Sequence, residues 1–458
     1  MILRPYQEDL VEKTRWSIKT NHRAPLIVSP CGSGKTVMFS YFAKKANEKG
    51  NRVLILAHRI ELVDQISATL SEFSVDHSFI AANRPYSGGH RTHVASVMSA
   101  VRRIHKMKPP NFIIIDESHH CIKGSSWSKI LDAFPCSIKV GVTASPERLS
   151  GEGLGNIFDD LIMGPSVAEL IRLGALSPYK IYSPTNIDLT AVRTRMGDYV
   201  GSELSNVMDK PSITGDVIKH YKKFADGKRA ITFCTSVKHA KHVAEQFRAS
   251  GYNAYSIDGT MDAGVRKKVV QDFRKGVINV LTSCDLISEG FDLPAIEAAI
   301  MLRPTKSLAL WIQQSGRSLR PSPGKSHAII LDHAGNCRIH GLPDDERQWS
   351  LEGRSKHERK KPPESLRVCP KCFGAQRRGS ASCSYCQHIF EIESRQIDEV
   401  EGELSEIDLV AHRKLQRFEQ GSSRTLQDLM ALGKKRGYRN PYWWAQNVIK
   451  HRTERMVK

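Results

Sequence analysis

Short apolar runs alternate with longer stretches of helical periodicity from the amino terminus to about residue 340. That alternation is typical of parallel-sheet α/β domains, whose strands are covered on both faces and so read as continuous apolar segments. A first set of strands is expected at Leu26–Pro30, Arg52–His58, His93–Val97, Phe112–Asp116 and Ile138–Thr143. Between two of them, IELVDQISATLSEF has the spacing of a helix. The Gly and Pro residues of LGALSPYKIYSP mark a boundary near Leu176 to Pro178. A second set follows at Ala230–Cys234, Ala254–Ile257, Val277–Thr282, Ala298–Leu302 and Ala328–Leu331, and its helix SVKHAKHVAEQFRASG ends at a Gly stop signal. The expected fold is α/β, with two tandem parallel-sheet lobes over 1–176 and 177–342. A basic, Pro-punctuated linker (343–365), a four-cysteine module (366–391) and an acidic segment running into a basic, aromatic, helical tail (392–458) complete the chain.

Composition narrows the class. With 458 residues, 40% of them hydrophobic, the chain can bury several cores, and its net charge of +20 suits a polyanionic partner, most often nucleic acid. The alternative is a basic surface with no partner. Six of the ten cysteines, Cys31, Cys121, Cys136, Cys234, Cys284 and Cys337, are scattered in apolar or loop contexts, so no disulfide framework is expected and a reducing compartment is. The opening MILRPYQEDL carries charge too early for a signal peptide, and no apolar run is long enough for a membrane span.

Three motifs carry chemistry. In IVSPCGSGKT an apolar strand enters a small-residue loop and then Lys-Thr at a helix start. Gly32, Ser33 and Gly34 let backbone N–H groups turn toward a phosphate chain, Lys35 reaches the β- and γ-phosphates, and the Thr36 hydroxyl holds Mg²⁺. Ser29 stands where the phosphate-loop pattern has Gly; the position calls for a small residue, which serine is. In FIIIDESHH a strand runs into two carboxylates, where Asp116 would hold Mg²⁺ and Glu117 would orient and deprotonate the attacking water. In QQSGRSLRP, Gln313, Arg317 and Arg320 fall at i, i+4 and i+7, the spacing of one helix face. Its two guanidiniums suit phosphate oxygens, and they come from the second lobe while Lys35 and Glu117 come from the first. ATP is therefore expected to bridge the lobes.

Together these motifs resemble superfamily 2 helicases of the DEAD/DEAH kind, with Asp116-Glu117-Ser118-His119 as the signature and Ser in place of Ala. The resemblance implies RecA-like lobes and extends from Leu3 to about Asn336. It implies that Arg4 and Gln7 of LRPYQ read the adenine, and that Arg59 of AHRIELVDQ meets the nucleic-acid backbone. It adds Ser96, Thr235 of FCTSVKHA, and Thr282 and Ser283 of TSCDLISEGFDLP as nucleic-acid contacts, and Gly290 and Asp292 as nucleotide contacts. TASP, Thr143–Pro146, resembles the motif that couples hydrolysis to movement. GEGLGNIFDDLIMGPSVAELIRLGALSPY and LDHAGN resemble the branch containing bacterial RadD-type repair helicases, phage-encoded helicases and restriction-enzyme motor subunits. The resemblance implies an ATP-dependent motor in the cytoplasm of a bacterial or phage-infected cell. Its partner would be single-stranded or branched DNA, with single-strand-binding or recombination proteins as further partners and no membrane. An ATP-gated DNA-binding protein that recruits partners without unwinding, and an RNA helicase, are the alternatives.

Cys369-x₂-Cys372-x₁₀-Cys383-x₂-Cys386 supplies four soft ligands for one structural Zn²⁺. Its place after the lobes suggests a module outside the motor, whose loss would spare some basal ATPase. The tail RGYRNPYWWAQNVIKH interleaves Arg436, Arg439 and Lys450 with Tyr438, Tyr442, Trp443 and Trp444. It fits either a single-stranded nucleic-acid surface or, the preferred reading, a small helix whose aromatics are packed.

Overall fold

The computed structural model describes residues 2–148, 151–183, 192–195, 198–208, 211–284, 296–353, 366–390, 409–438 and 440–456. The chain forms two compact units, Met1–Phe390 and Glu391–Lys458.

The first lobe contains α1 (Pro5–Lys19), β1 (Pro25–Val28), α2 (Lys35–Glu48), β2 (Val53–Ala57), α3 (Ile60–Glu72), β3 (His77–Ile80), β4 (Thr92–Ser96), α4 (Val97–Arg103), β5 (Phe112–Asp116), α5 (Ser126–Ala133), β6 (Ile138–Thr143) and β7 (Asp160–Met163). Its strands make one parallel sheet in the order β3-β4-β2-β5-β6-β1-β7. Alternate residues feed two cores, because successive side chains of a strand point to opposite faces. Ile27, Ile55 and Ile114 pack with Leu10, Phe39 and Ile66 of α1, α2 and α3. Leu26, Leu54 and Ile115 pack with Ala100, Trp127 and Ile130 of α4 and α5 on the other face.

α6 (Val167–Arg172) leads to the second lobe: β8 (Tyr179–Tyr182), a hairpin of β9 (Thr194–Arg195) and β10 (Asp198–Tyr199), α7 (Gly201–Met208), α8 (Pro211–Ala225), β11 (Ala230–Phe233), α9 (Val237–Ala249), β12 (Ala254–Ile257), α10 (Ala263–Arg274), β13 (Val280–Ser283), β14 (Ala298–Met301), α11 (Leu308–Ser318), β15 (Ala328–Asp332) and α12 (Asn336–His340). The main sheet is parallel in the order β12-β13-β11-β14-β15-β8. Strand β13 starts three residues later than its apolar run suggests, because Gly276, at φ 79°, turns the chain and leaves Val277 exposed. The edge strands β3, β7 and β8 are not among the runs expected from sequence; they are short, and a strand at the edge of a sheet needs less apolar patterning than a central one.

The cysteine module does not stand apart from the lobes. Its hairpin, β16 (Leu366–Val368) and β17 (Ala375–Arg377), lies beside the edge strand β8. Tyr182 bridges to Gly374, Ser183 N donates to the Phe373 carbonyl at 2.9 Å, and Ile181 N donates to the Tyr385 hydroxyl at 3.3 Å. Gly374 is required there: a Cβ would lie 1.9 Å from the Tyr385 ring. Ala375 enters the second lobe's core, and Arg377 pairs with Asp344 and Asp345 at 3.1 and 2.7 Å. The segment before the module also returns to the first lobe. Gly155 N donates to the Leu351 carbonyl at 2.8 Å, and Trp349 packs against a core of each lobe.

In the second unit, α13 (Leu409–Ser422), α14 (Leu426–Lys435) and α15 (Pro441–Met456) form a small helical assembly. Thr425 caps α14 reciprocally with Asp428 at 3.1 Å each way. Trp444 packs on Gly433 and lies 4.9 Å from the Tyr438 ring, whereas Trp443 is 65% exposed. The two tryptophans therefore divide: Trp444 belongs to the packed side and Trp443 does not. Trp444→Ala is expected to cost this unit about 2 kcal/mol, below the range for a fully enclosed Trp because Trp444 is only partly covered. Trp443→Ala should leave its thermal unfolding, followed by helical circular dichroism, unchanged. The acidic stretch 391–408 and Arg439 lie outside the described residues.

Candidate active site

The phosphate loop runs between β1 and α2. Gly32 and Gly34 adopt φ 85° and 83°, values that L side chains rarely take. A Cβ on Gly34 would also lie 2.4 Å from the Gln7 amide nitrogen. The Ser29 hydroxyl donates to or accepts from that of Ser33 at 2.8 Å, so the serine that replaces glycine ties the loop across its base. Gln7 Nε2 donates to the Ser33 and Gly34 carbonyls at 3.0 and 3.4 Å, and the Tyr6 hydroxyl donates to the Ser33 carbonyl at 2.8 Å. Gln7 is thus buried against the loop, with Oε1 accepting from Arg4 N at 2.9 Å, while the Arg4 side chain is exposed. The Lys35 ammonium donates to the Ser29 and Pro30 carbonyls at 3.3 and 3.5 Å. Thr36 follows it in the first turn of α2.

The two carboxylates end β5, two strands from β1 across β6. Burial, with the adjacent Glu117 carboxylate, pushes the Asp116 carboxyl up to about 7, against the opposing pull of Lys35 and His120. A dication bound beside it would favour its ionised form. Glu117 sits in the left-handed region at φ 47°, ψ 55°, a costly conformation for a non-glycine residue and one that functional sites often hold. Ser118 accounts for part of how that turn is held. Its hydroxyl donates to the Ile115 carbonyl and accepts from Val142 N, both at 2.8 Å, joining the end of β5 to β6. An alanine there would make neither bond.

The second lobe meets this site through α11. His119 Nδ1 lies 3.1 Å from the Thr143 hydroxyl, and the Gln313 amide donates toward His119 Nε2 at 3.3 Å. Three motifs from two lobes thus share one buried chain of polar contacts. Gly316 packs on Cys31 of the phosphate loop, where a Cβ would lie 2.7 Å from the Cys31 Cβ. Arg317 lies half-buried in the last turn of α11. Arg320 departs from the helical reading. The helix ends at Ser318, so Arg320 lies beyond it, yet its side chain reaches Gly32, where a Cβ would be 3.3 Å from Arg320 Cγ.

The candidate nucleic-acid residues occupy the other half of each sheet. Arg59 stands at the start of α3 after β2 without a side-chain capping bond, and Ser96 caps α4 after β4, accepting from Ser99 N at 3.4 Å. Thr235 follows β11 and hydrogen-bonds His239 at 2.9 Å, while Thr282 and Ser283 end β13. Thr282 is fully buried and its hydroxyl donates to the Ala240 carbonyl at 2.7 Å, which gives it a packing role. Sheet order therefore places the phosphate loop and carboxylates toward β5-β6-β1, and Arg59 and Ser96 toward β4-β2. Arg266 of α10 bridges to Glu61 of α3 at 3.1 Å, joining the lobes on this second side. Gly290 and Asp292 lie outside the described residues.

In the cysteine module Cys369 and Cys386 sulfurs are 3.7 Å apart, Cys372 and Cys383 sulfurs 3.6 Å, and all four lie within 4.8 Å of one another. Tetrahedral Zn²⁺ with bonds of about 2.3 Å sets its sulfurs about 3.8 Å apart, so the set fits that ion. Gly374 N and Tyr385 N each donate to a cysteine sulfur at 3.4 Å, which stabilises thiolate charge. Among the described residues no other group of His, Cys, Asp and Glu converges in this way.

Residues 1–148 match the family described as type III restriction enzyme, res subunit, and residues 210–322 match the helicase conserved C-terminal domain. A 51.5 kDa protein of a Lactococcus phage is 38% identical over 372 residues, covering 81% of this chain and 79% of that one. A putative ATP-dependent helicase, IRC3 of Saccharomyces cerevisiae, is 30% identical over 360 residues; the match covers 74% of this chain but only 52% of the yeast protein. Among solved structures, a fragment of a putative HsdR subunit of a type I restriction enzyme from Vibrio vulnificus superposes with a TM-score of 0.58 at 19% identity, covering 75% of this chain and 68% of that one. The type ISP restriction-modification enzyme LlaBIII bound to DNA gives 0.54 at 17% identity, over 72% of this chain and 27% of that one.

Proposed function

The chain belongs to the superfamily 2 helicases, ATPases of the helicase and translocase type, and from that premise we propose that it is a DNA-directed motor acting on single-stranded or branched DNA in recombination, repair or replication. The observation that carries this reading is the seating of α11 on the phosphate loop and carboxylate turn through Gln313, Gly316 and Arg320. A residue set split between two lobes is complete only when the lobes close, which makes hydrolysis responsive to whatever aligns them. The restriction enzymes among the structural relatives, one of them solved bound to DNA, favour DNA over RNA.

When bound, the Mg²⁺ nucleotide supplies the scissile phosphoanhydride and the dication that offsets its charge. Lys35 and the Gly32–Gly34 amides cradle the phosphates; Thr36 and Asp116 hold the metal. Glu117 takes the proton of the attacking water, and Arg317 and Arg320 meet the charge that develops at the γ-phosphate. Gln313, through His119, fixes the turn that presents Glu117. Arg59 and Ser96, both partly exposed, follow the strand's phosphates, contacts that position a strand without reading its sequence. Cys369, Cys372, Cys383 and Cys386 hold one structural Zn²⁺.

Binding to single-stranded DNA should weaken steeply with salt, each neutralised phosphate contributing about 0.7 to the log–log slope. Titration at rising salt checks this on the full chain, with DNA and RNA of one sequence compared. Salt-insensitive binding would contradict a phosphate track, and preference for RNA would contradict the DNA assignment.

A further inference from the structure

We propose that Lys325 is a positioning residue for ATP hydrolysis: its ammonium gathers three main-chain carbonyls and thereby holds Arg320 at the phosphate loop. The inference rests on the assignment of Arg320 to the γ-phosphate.

The problem that Lys325 solves is visible in the backbone. A helix leaves its last carbonyls without intrahelical partners, and α11 ends at Ser318, two residues before the arginine it must present. Nothing helical holds Arg320. The carbonyls around it are held from outside the helix. Leu319 O accepts from Ser177 N, in the segment between the lobes, at 2.7 Å. Ser318 O and Arg320 O both accept from the Lys325 ammonium, the latter at 2.8 Å. The same ammonium donates to Ile296 O, just before β14, at 2.7 Å. One side chain therefore ties the end of α11, the Arg320 backbone and the central sheet of the second lobe to a single point.

The chain returns to make that contact through a turn written into its sequence. In Ser322-Pro323-Gly324-Lys325, Lys325 N donates to Ser322 O at 3.1 Å and Gly324 takes φ 77°. Proline then glycine at the centre of a tight turn is the type II arrangement, with proline fixing the first φ and glycine accepting the positive one. A lysine on a solvated loop would keep its ammonium in water. Here the ammonium lies among carbonyls, where a cation near a helix carboxyl end is favoured.

Charge around the group is mixed. Glu297 is attractive, but it is shared with Lys228 Nζ at 3.3 Å and Arg229 N at 3.2 Å, and Arg229 and Lys228 oppose a further positive charge; His327, held below its usual range by burial and the surrounding lysines, is neutral here. Burial, together with Lys228 and Arg229, brings the Lys325 ammonium down to about 8. Above that pH the neutral amine keeps two N–H donors for three carbonyls. A lysine pKa held below its unfolded value makes this group's contribution to folding stability rise, not fall, as pH increases between the two values. Hydrolysis lost in that window is then not explained by Lys325-linked unfolding.

The test compares Lys325→Met, Lys325→Arg and Arg320→Ala by steady-state ATPase, nucleotide affinity and thermal midpoint in the full chain across pH 7 to about 9.5. Lys325→Met is expected to lower kcat by about 10- to 100-fold, the scale of a misplaced catalytic group, with KM for ATP changed by no more than about threefold. The wild type should lose activity on the alkaline side with a midpoint near 8, and Lys325→Arg, whose guanidinium stays charged, should shift that loss upward. If Arg320→Ala keeps its kcat, the underlying site assignment fails. If Arg320→Ala is inactive while folded Lys325→Met keeps its kcat, the positioning role alone is overturned. If Lys325→Met does not fold, the arginine variant decides: an alkaline limb unchanged from wild type overturns the proposal, and an upward shift supports it.

Discussion

Glu117→Gln is expected to bind ATP with affinity near that of the wild type and to hydrolyse it at least about 100-fold more slowly. Glutamine keeps the length of the side chain and the same left-handed backbone requirement at φ 47°, so the substitution removes the base with little change in strain. It also leaves the Lys35 cradle intact. Lys35→Ala should fail at the earlier step and lose nucleotide binding, since it removes the cation that lies against the Ser29 and Pro30 carbonyls at the base of the loop. Equilibrium nucleotide binding and phosphate release, measured on both variants, separate the two losses. Normal turnover by Glu117→Gln would assign the base elsewhere.

Metal loss from the cysteine module is expected to reach the second lobe. A module attached only by a linker would come off without affecting the motor, which is what its place in the sequence suggests. The structure instead pins it to β8 through the Tyr182–Gly374 bridge, the Ile181–Tyr385 bond and the Arg377 pairs with Asp344 and Asp345. Metal-site folding energy in such a module is folding energy of whatever packs on it. Cys372→Ser should bind no Zn²⁺ and should uncover an edge strand. A loss of about 3–5 kcal/mol, the scale for removing a structural metal or a buried network, corresponds to a melting shift of about 10 °C in a lobe of this size. Basal ATPase should fall with it, because β8 leads directly from the interlobe segment that holds Leu319. Metal analysis and melting with and without a chelator measure this. Unchanged melting and ATPase after metal removal would show that the module folds and functions by itself.

The central strands and the phosphate-binding chemistry were legible because each rests on a local pattern. Phe112–Asp116 and Ile138–Thr143 read as continuous apolar runs, and β5 and β6 have those bounds. Edge strands β7 and β8 were not legible, since Asp160 and Lys180 interrupt the apolar signal where one side of the strand is less enclosed. Spacing misplaced Arg320 because periodicity describes only a helix that continues, and α11 stops at Ser318. No local rule reports that Ser118 joins two strands, that His119 touches Gln313 from the other lobe, or that the cysteine hairpin packs on β8. Those are long-range pairings. The Pro323-Gly324 turn before β15 drew no notice in the sequence, because its purpose depends on where three carbonyls lie in space.

In a nucleic-acid motor, nucleic acid controls hydrolysis at the interlobe site. The direct measurement is the ATPase rate of the full-length chain, side by side, with no nucleic acid, single-stranded DNA, duplex DNA, forked DNA and RNA, at fixed low salt. Single-stranded or forked DNA is expected to raise the rate by about tenfold or more, corresponding to at least about 1.4 kcal/mol of transition-state stabilisation gained on lobe alignment. The increase should be absent in Glu117→Gln. A rate indifferent to every nucleic acid would contradict the motor.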